Sequence, residues 1–134
     1  MKISTKGRYA LIIMAYLAKE SDKDSYISLK EISENDGISY KYLEKIMILL
    51  NKGNFLDVAR GNSGGYKLKF LPNQYKIGDI LRSVEGDLAP ISCVNKDDCP
   101  KKNKCNSYMF FEGLYNEINN YVDNKTLEDF IKEK

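Results

Sequence analysis

The chain contains no histidine and no tryptophan among its 134 residues, and only three cysteines and three prolines. Without histidine it lacks the side chain whose charge changes most readily near neutral pH and which most often ligates metals. No serine or cysteine nucleophile stands beside a plausible base, and there is no phosphate-loop motif, so no catalytic constellation is present and an enzyme is not expected. Long apolar runs are missing too. The longest, Leu11 to Ala18, is too short to cross a bilayer, and the opening Met1-Lys2-Ile3-Ser4-Thr5-Lys6 lacks the apolar segment of a secretory leader. A cytoplasmic protein is expected.

What is present is a soluble composition, 43% apolar and 30% charged, with enough chain for one domain or a compact domain with a protruding arm. The net charge is +2, but the basic excess lies in the first half and the second half is slightly acidic. The first half is therefore the side suited to a polyanion.

Tyr9, Ile12, Ile13, Tyr16 and Leu17 fall at helical spacing and predict a first amphipathic helix over Thr5 to Ala18, ending near Lys19-Glu20-Ser21-Asp22. Ser28-Leu-Lys-Glu31 has the capping-box pattern, in which serine and glutamate side chains each satisfy the other's backbone donor. It predicts a short helix to about Asn35, broken at Asp36-Gly37, where glycine supplies the left-handed residue of a tight turn. Ser39 then caps a second helix, Tyr40 to Asn51, with Leu43, Ile46, Met47 and Leu50 on one face.

Two helices joined by a short glycine turn form a helix-turn-helix, whose second helix enters the major groove. Its exposed face offers Ser39, Tyr40, Lys41, Tyr42, Glu44 and Lys45: lysines for phosphate or guanine, tyrosines for phosphate or a methyl group, glutamate to accept from cytosine. The strand-like Phe55 to Arg60, the glycine-dense Gly61-Asn-Ser-Gly-Gly65 and the alternating Tyr66 to Phe70 follow at once and predict a β-hairpin wing. Arg60 and Asn62 at its base and tip suit a narrow minor groove. A hairpin that merely covered the helix would give no reason for so much glycine beside Arg60.

Ile77, Ile80, Leu81 and Val84 mark a short helix ending at Gly86. From Ser107 the apolar residues Tyr108, Phe111, Leu114 or Tyr115, Ile118 and Tyr121 or Val122 recur at close to three and a half residues. That stripe calls for a partner surface, which a second copy of the chain is expected to supply; packing against the chain's own first helix is the alternative, and both can hold together. Thr126-Leu-Glu-Asp129 opens a last capped turn. The expected fold is mainly α with a small β wing: a winged helix-turn-helix over residues 1–86, a cysteine loop over 87–106, and a dimerisation helix and tail over 107–134.

All three cysteines, Cys93, Cys99 and Cys105, lie in the loop before that long helix, with five residues between each pair. An odd count in a cytosolic chain points to metal or redox chemistry rather than a disulfide framework. Thiolates suit iron–sulfur clusters, zinc or copper(I); zinc sites usually draw on a closer Cys-x2–4-Cys pair, and wider gaps suit a larger object. A metal-free thiol or persulfide sensor is the other option. Lys96, Lys101, Lys102 and Lys104 are expected to lower the thiol pKa values and offset cluster charge.

The opening Lys2 to Ala10, Gly37 to Glu44 of the second helix, the Val58 to Tyr66 wing and the three evenly spaced cysteines together resemble the Rrf2 family of winged-helix regulators, over nearly the whole chain. Within it, the chain is similar to the IscR-like branch, dimeric regulators that bind an iron–sulfur cluster through three such cysteines. The resemblance implies a DNA-binding regulator, more often a repressor, of cluster assembly or cysteine metabolism genes, acting on pseudo-palindromic operators. It implies Cys93, Cys99 and Cys105 as ligands of a cluster, 2Fe-2S rather than 4Fe-4S, and Glu44 as a selector of operator class. The opening and the Thr126 to Asp129 tail also resemble the CymR-like branch, cysteine-metabolism repressors without the triplet, which answer to a partner enzyme of cysteine synthesis or to thiol redox state. One position departs from the IscR-like pattern: Tyr108 stands where that branch has a ligating histidine. A nitric-oxide-sensing branch uses an aspartate of the first helix instead, and there this chain has Arg8. The candidates for a fourth ligand are Tyr108, Asp97, Asp98, a carboxylate of a second subunit, or an external thiol or water.

Overall fold

In a computed structural model of the chain, residues 2–20, 25–96 and 99–133 are described. Ser4 caps the first helix, α1 (Thr5–Lys19), by accepting from the Gly7 amide, and Ala10, Ile13, Met14 and Leu17 line its buried face. The helix ends within the polar stretch expected, at Lys19 with Glu20 as its cap; Ser21 and Asp22 lie outside the described residues.

The helix-turn-helix forms as its caps dictate. Ser28 accepts from the Glu31 amide at 3.0 Å to start α2 (Leu29–Asp36), and Gly37 ends it with φ 66. Ser33 donates its hydroxyl to the Ile38 carbonyl at 2.6 Å, fastening the turn. Ser39 then caps α3 (Tyr40–Lys52), which buries Leu43, Ile46, Met47 and Leu50. The expected capping box at Ser28 is only half made: the Glu31 carboxylate instead accepts from the Tyr16 hydroxyl of α1, at 2.6 Å. That bond to a charged acceptor, helped by burial, pushes the Tyr16 pKa up to about 12.

The wing is an antiparallel pair, β1 (Leu56–Ala59) and β2 (Gly65–Leu68), with Leu56 opposite Leu68 and Ala59 opposite Gly65. Both strands are shorter than the sequence suggests. Tyr75 closes the lower boundary: its hydroxyl donates to the Phe55 carbonyl at 2.6 Å, which also accepts from the Lys69 amide at 3.2 Å, and it accepts from the Phe70 amide at 3.0 Å, so the Phe70 amide bonds to a side chain rather than across the hairpin.

After a 3-10 turn at Pro72–Gln74 come α4 (Ile77–Glu85), the cysteine loop, α5 (Tyr108–Asp123) and α6 (Leu127–Lys132). Helix α4 packs on α1 and α3, so it is the floor beneath the recognition helix. Helix α6 opens with a complete capping box between Thr126 and Asp129, and folds back onto α1 and the Pro72–Gln74 turn. The Ile77 amide donates to the Lys125 carbonyl and the Leu127 amide to the Tyr75 carbonyl, both at 2.9 Å, which seats Leu127 fully in the core of the winged part. Among the described residues no helix is long and apolar enough to cross a membrane.

Candidate DNA-reading face and cysteine loop

The cap at Ser39 fixes where α3 begins, and with it which side chains lead. Ser39, Tyr40, Lys41, Glu44 and Lys45 are all exposed. Tyr42 differs from its neighbours: it is half-buried, with its ring edge-to-face against Tyr9 at 5.9 Å, and so braces α3 against α1. Arg8 in turn lies over the Tyr9 ring, 5.5 Å from its centre. Arg60 and Asn62 of the wing are exposed, and Gly61 between them has φ 100, open to glycine without strain.

Between α3 and the wing runs a hollow of about 480 Å³ whose walls include Lys30, Tyr40, Glu44, Ile48, Asn62 and Tyr66. Burial pushes the Tyr66 hydroxyl pKa up, and the neighbouring Tyr40 and Glu44 add to it. Lys30 and Ile48 were missed from the sequence. Ile48 is apolar but stands off the Leu43, Ile46, Met47, Leu50 stripe, one turn beyond Glu44, and is 58% exposed. An apolar residue on the charged face of a recognition helix is the signal that could have found it.

The three cysteines are unpaired thiols: Cys93 and Cys105 exposed, Cys99 partly so. Cys93 sits in a 3-10 turn, Ser92–Val94, that packs on α5, and Cys105 stands three residues ahead of that helix. Both ends of the loop are thus tied to one helix. Asp97 and Asp98 lie outside the described residues. The Cys105 thiol is held below its usual pKa, first by the Ser107 hydroxyl 3.3 Å away, then by the Ser107 amide. The expected lysine effect is the smaller one: Lys101 contributes there, after the groups at the start of α5. Tyr108 is 9% exposed, with the Lys102 ammonium 5.3 Å from the centre of its ring.

Among the described residues, no three histidine, cysteine, aspartate or glutamate side chains stand close enough together to hold a metal ion. The donor set nonetheless fits an iron–sulfur cluster in kind: three soft, unpaired, solvent-reachable thiols on one segment, with one of them acidified. On its far side, α5 leaves Met109, Phe110 and Tyr121 between 66% and 83% exposed, an apolar face without cover in a single chain.

A model of the Rrf2 family, described as an iron-dependent transcriptional regulator, matches residues 3–133. The HTH-type transcriptional regulator IscR of Vibrio campbellii is 32% identical over 133 residues, spanning 99% of this chain and 79% of that protein. Among solved structures, CymR, the global cysteine regulator of B. subtilis, superposes with a TM-score of 0.80 at 32% identity, covering 98% of this chain and 97% of that one. IscR of T. potens superposes with a TM-score of 0.75 at 34% identity, covering 98% and 87%.

Proposed function

The chain belongs to the Rrf2 family of transcriptional regulators, and from that premise we propose that it is a cytoplasmic homodimer that reads a pseudo-palindromic operator and senses iron–sulfur status through Cys93, Cys99 and Cys105. The regulated genes are those of cluster assembly or cysteine metabolism. The recognition helix contributes Ser39, Tyr40, Lys41, Glu44 and Lys45, with Tyr42 as its brace, and the wing contributes Arg60 and Asn62.

The observation that carries this reading is the attachment of the cysteine loop at both ends to α5. A second copy covers the outer apolar face of the same helix, so the segment that receives the signal is also the one that sets how two reading heads stand to each other. A bound cluster, of the 2Fe-2S type, would draw the three thiols to one centre and change the loop's preferred conformation. Whatever favours one conformer of the loop must by linkage change affinity for any operator that distinguishes the conformers. Tyr108, held in packing beneath Lys102, leaves the fourth position to a group from elsewhere.

The test is anaerobic loading of the full chain with iron and sulfide, followed by metal and sulfide analysis and visible absorbance. The reading predicts a coloured protein with stoichiometric iron, and a colourless one for Cys93→Ser, Cys99→Ser and Cys105→Ser. Iron content unchanged by all three substitutions contradicts it.

The structural likeness to CymR, together with three ungathered thiols, favours one second reading. In it the loop answers to thiol oxidation or to a partner enzyme of cysteine synthesis, without a cluster. Co-purification of such an enzyme with an iron-indifferent regulator distinguishes it.

A further inference from the structure

Helix α5 is held to its own winged part by little apolar contact. Of its 16 residues only Tyr108 and Val122 are buried. Ile118 is half-buried against the core as well, and polar fixings add to these contacts at two heights. The Tyr115 hydroxyl donates to Asp87 at 2.8 Å, in the segment just after α4. One turn and more further on, the Arg82 guanidinium of α4 forks onto the Asp123 carboxylate, at 2.8 and 2.9 Å, and donates again to the Asn119 side chain at 2.8 Å. Asp79 stands 3.7 Å from the same guanidinium. A bidentate fork fixes a direction as well as a distance, which a lysine in its place could not do.

The sequence makes room for this clasp. Gly78 lies inside α4, where glycine weakens a helix. A Cβ added there would meet the Asp123 Oδ1 at 2.0 Å and the Arg82 Nη1 at 2.8 Å. The glycine is the clearance through which the carboxylate reaches the guanidinium.

We infer that the Arg82 clasp is a specificity device: it fixes the angle of α5 against the winged part, and so the separation of the two recognition helices and the half-site spacing that the dimer accepts. This rests on the dimeric DNA-binding reading above. Helix α4 packs under α3 on one side and against α5 on the other, so the joint at Arg82 is the link between reading head and dimer axis. The lever is long. At 1.5 Å per residue the 16 residues of α5 span about 24 Å, and a rotation of about 10° at one end moves the other by about 4 Å, which is more than one base-pair step. Arg82 and Asp123 touch no DNA in this account; they are positioning residues.

The experiment takes a duplex selected by the wild-type chain from a random pool, rebuilds it with the half-sites moved closer or further by one and two base pairs, and measures binding by anisotropy at fixed salt. Wild type should lose roughly tenfold or more in affinity at the wrong spacings. Arg82→Gln and Asp123→Asn should flatten that profile to about twofold while binding an isolated half-site as wild type does, and the double variant should be no flatter than either single one. Gly78→Ala keeps both charges and improves helix propensity, and should flatten the profile too. A loss of general stability would instead lower binding at every spacing alike. Profiles as steep as wild type in all three variants overturn the inference, as does a wild type indifferent to spacing. A chain that sediments as a monomer on the selected duplex overturns both this inference and the dimer reading, whereas a steep wild-type profile kept by the variants overturns this one alone.

Discussion

Ile27 and Tyr66 exchange both of their backbone hydrogen bonds, each 2.8 Å long, so the second strand of the wing is stitched to the segment that leads into α2. The wing is not a free flap. Its angle to the recognition helix is set from two sides, by this bridge and by the Tyr75 hydroxyl at its base.

That bridge makes Gly65 the sensitive position of the wing. Its φ is 151, and a Cβ would lie 2.2 Å from the Ile27 carbonyl oxygen, a backbone atom with nowhere to move. Gly65→Ala should cost about 1–3 kcal/mol of stability through strain at that site. It should also weaken DNA binding more than the stability loss explains, because Arg60 and Asn62 ride on the same hairpin. Urea unfolding and binding isotherms on one preparation check both, and unchanged DNA affinity would show the wing to be dispensable.

Lys41 is exposed at the start of α3 and makes no ion pair among the described residues. If it meets a phosphate, Lys41→Ala should weaken binding to all sequences alike and reduce the slope of log affinity against log salt by about 0.9. Glu44→Ala should leave the slope alone and relax the preference at one base pair. A Lys41 variant that changes base preference without changing the slope would reassign it to base reading.

The Arg82 guanidinium, by its hydrogen bonds and then its charge, holds the Asp123 carboxyl below the usual carboxylate range. A carboxylate whose folded pKa is depressed stabilises the fold above its unfolded pKa, and that contribution disappears as pH falls through the folded value. Both side chains are about a third exposed, so after allowance for solvent screening the contribution is about 0.5–1 kcal/mol. The stability gap between wild type and Asp123→Asn should be full near neutral pH and close in acid, below the ordinary aspartate pKa. Urea midpoints measured for both across that range test it; a gap that persists in strong acid would mean that the asparagine harms packing rather than charge.

Much of the reading head was legible because its signals are local. Ser39 and Gly37 mark a cap and a turn within a few residues of each other, and the glycines after Arg60 mark the wing in the same way. What escaped depends on residues far apart in the chain. Tyr16 takes Glu31 away from the capping box across the gap between two helices, and no pattern around Ser28 announces a competitor. Arg82 and Asp123 are 41 residues apart, and Gly78 reads as a weak spot in a helix until Asp123 is seen to pass through it. The cysteine spacing was plain, but the strongest influence on Cys105 comes from Ser107 at the start of α5 rather than from the lysines that the eye picks out. Tyr42 was placed with the DNA contacts by its chemistry and by the family resemblance; its contact with Tyr9, 33 residues away, could not be read from the sequence around it.

The central claim is that the cysteine loop changes what the winged part binds. The direct measurement is operator affinity of one preparation before and after anaerobic loading with iron and sulfide, with Cys99→Ser carried alongside. The account predicts a change of roughly 5- to 150-fold for wild type and none for the variant. Equal affinity before and after loading, in a protein shown to have taken up the cluster, would contradict it.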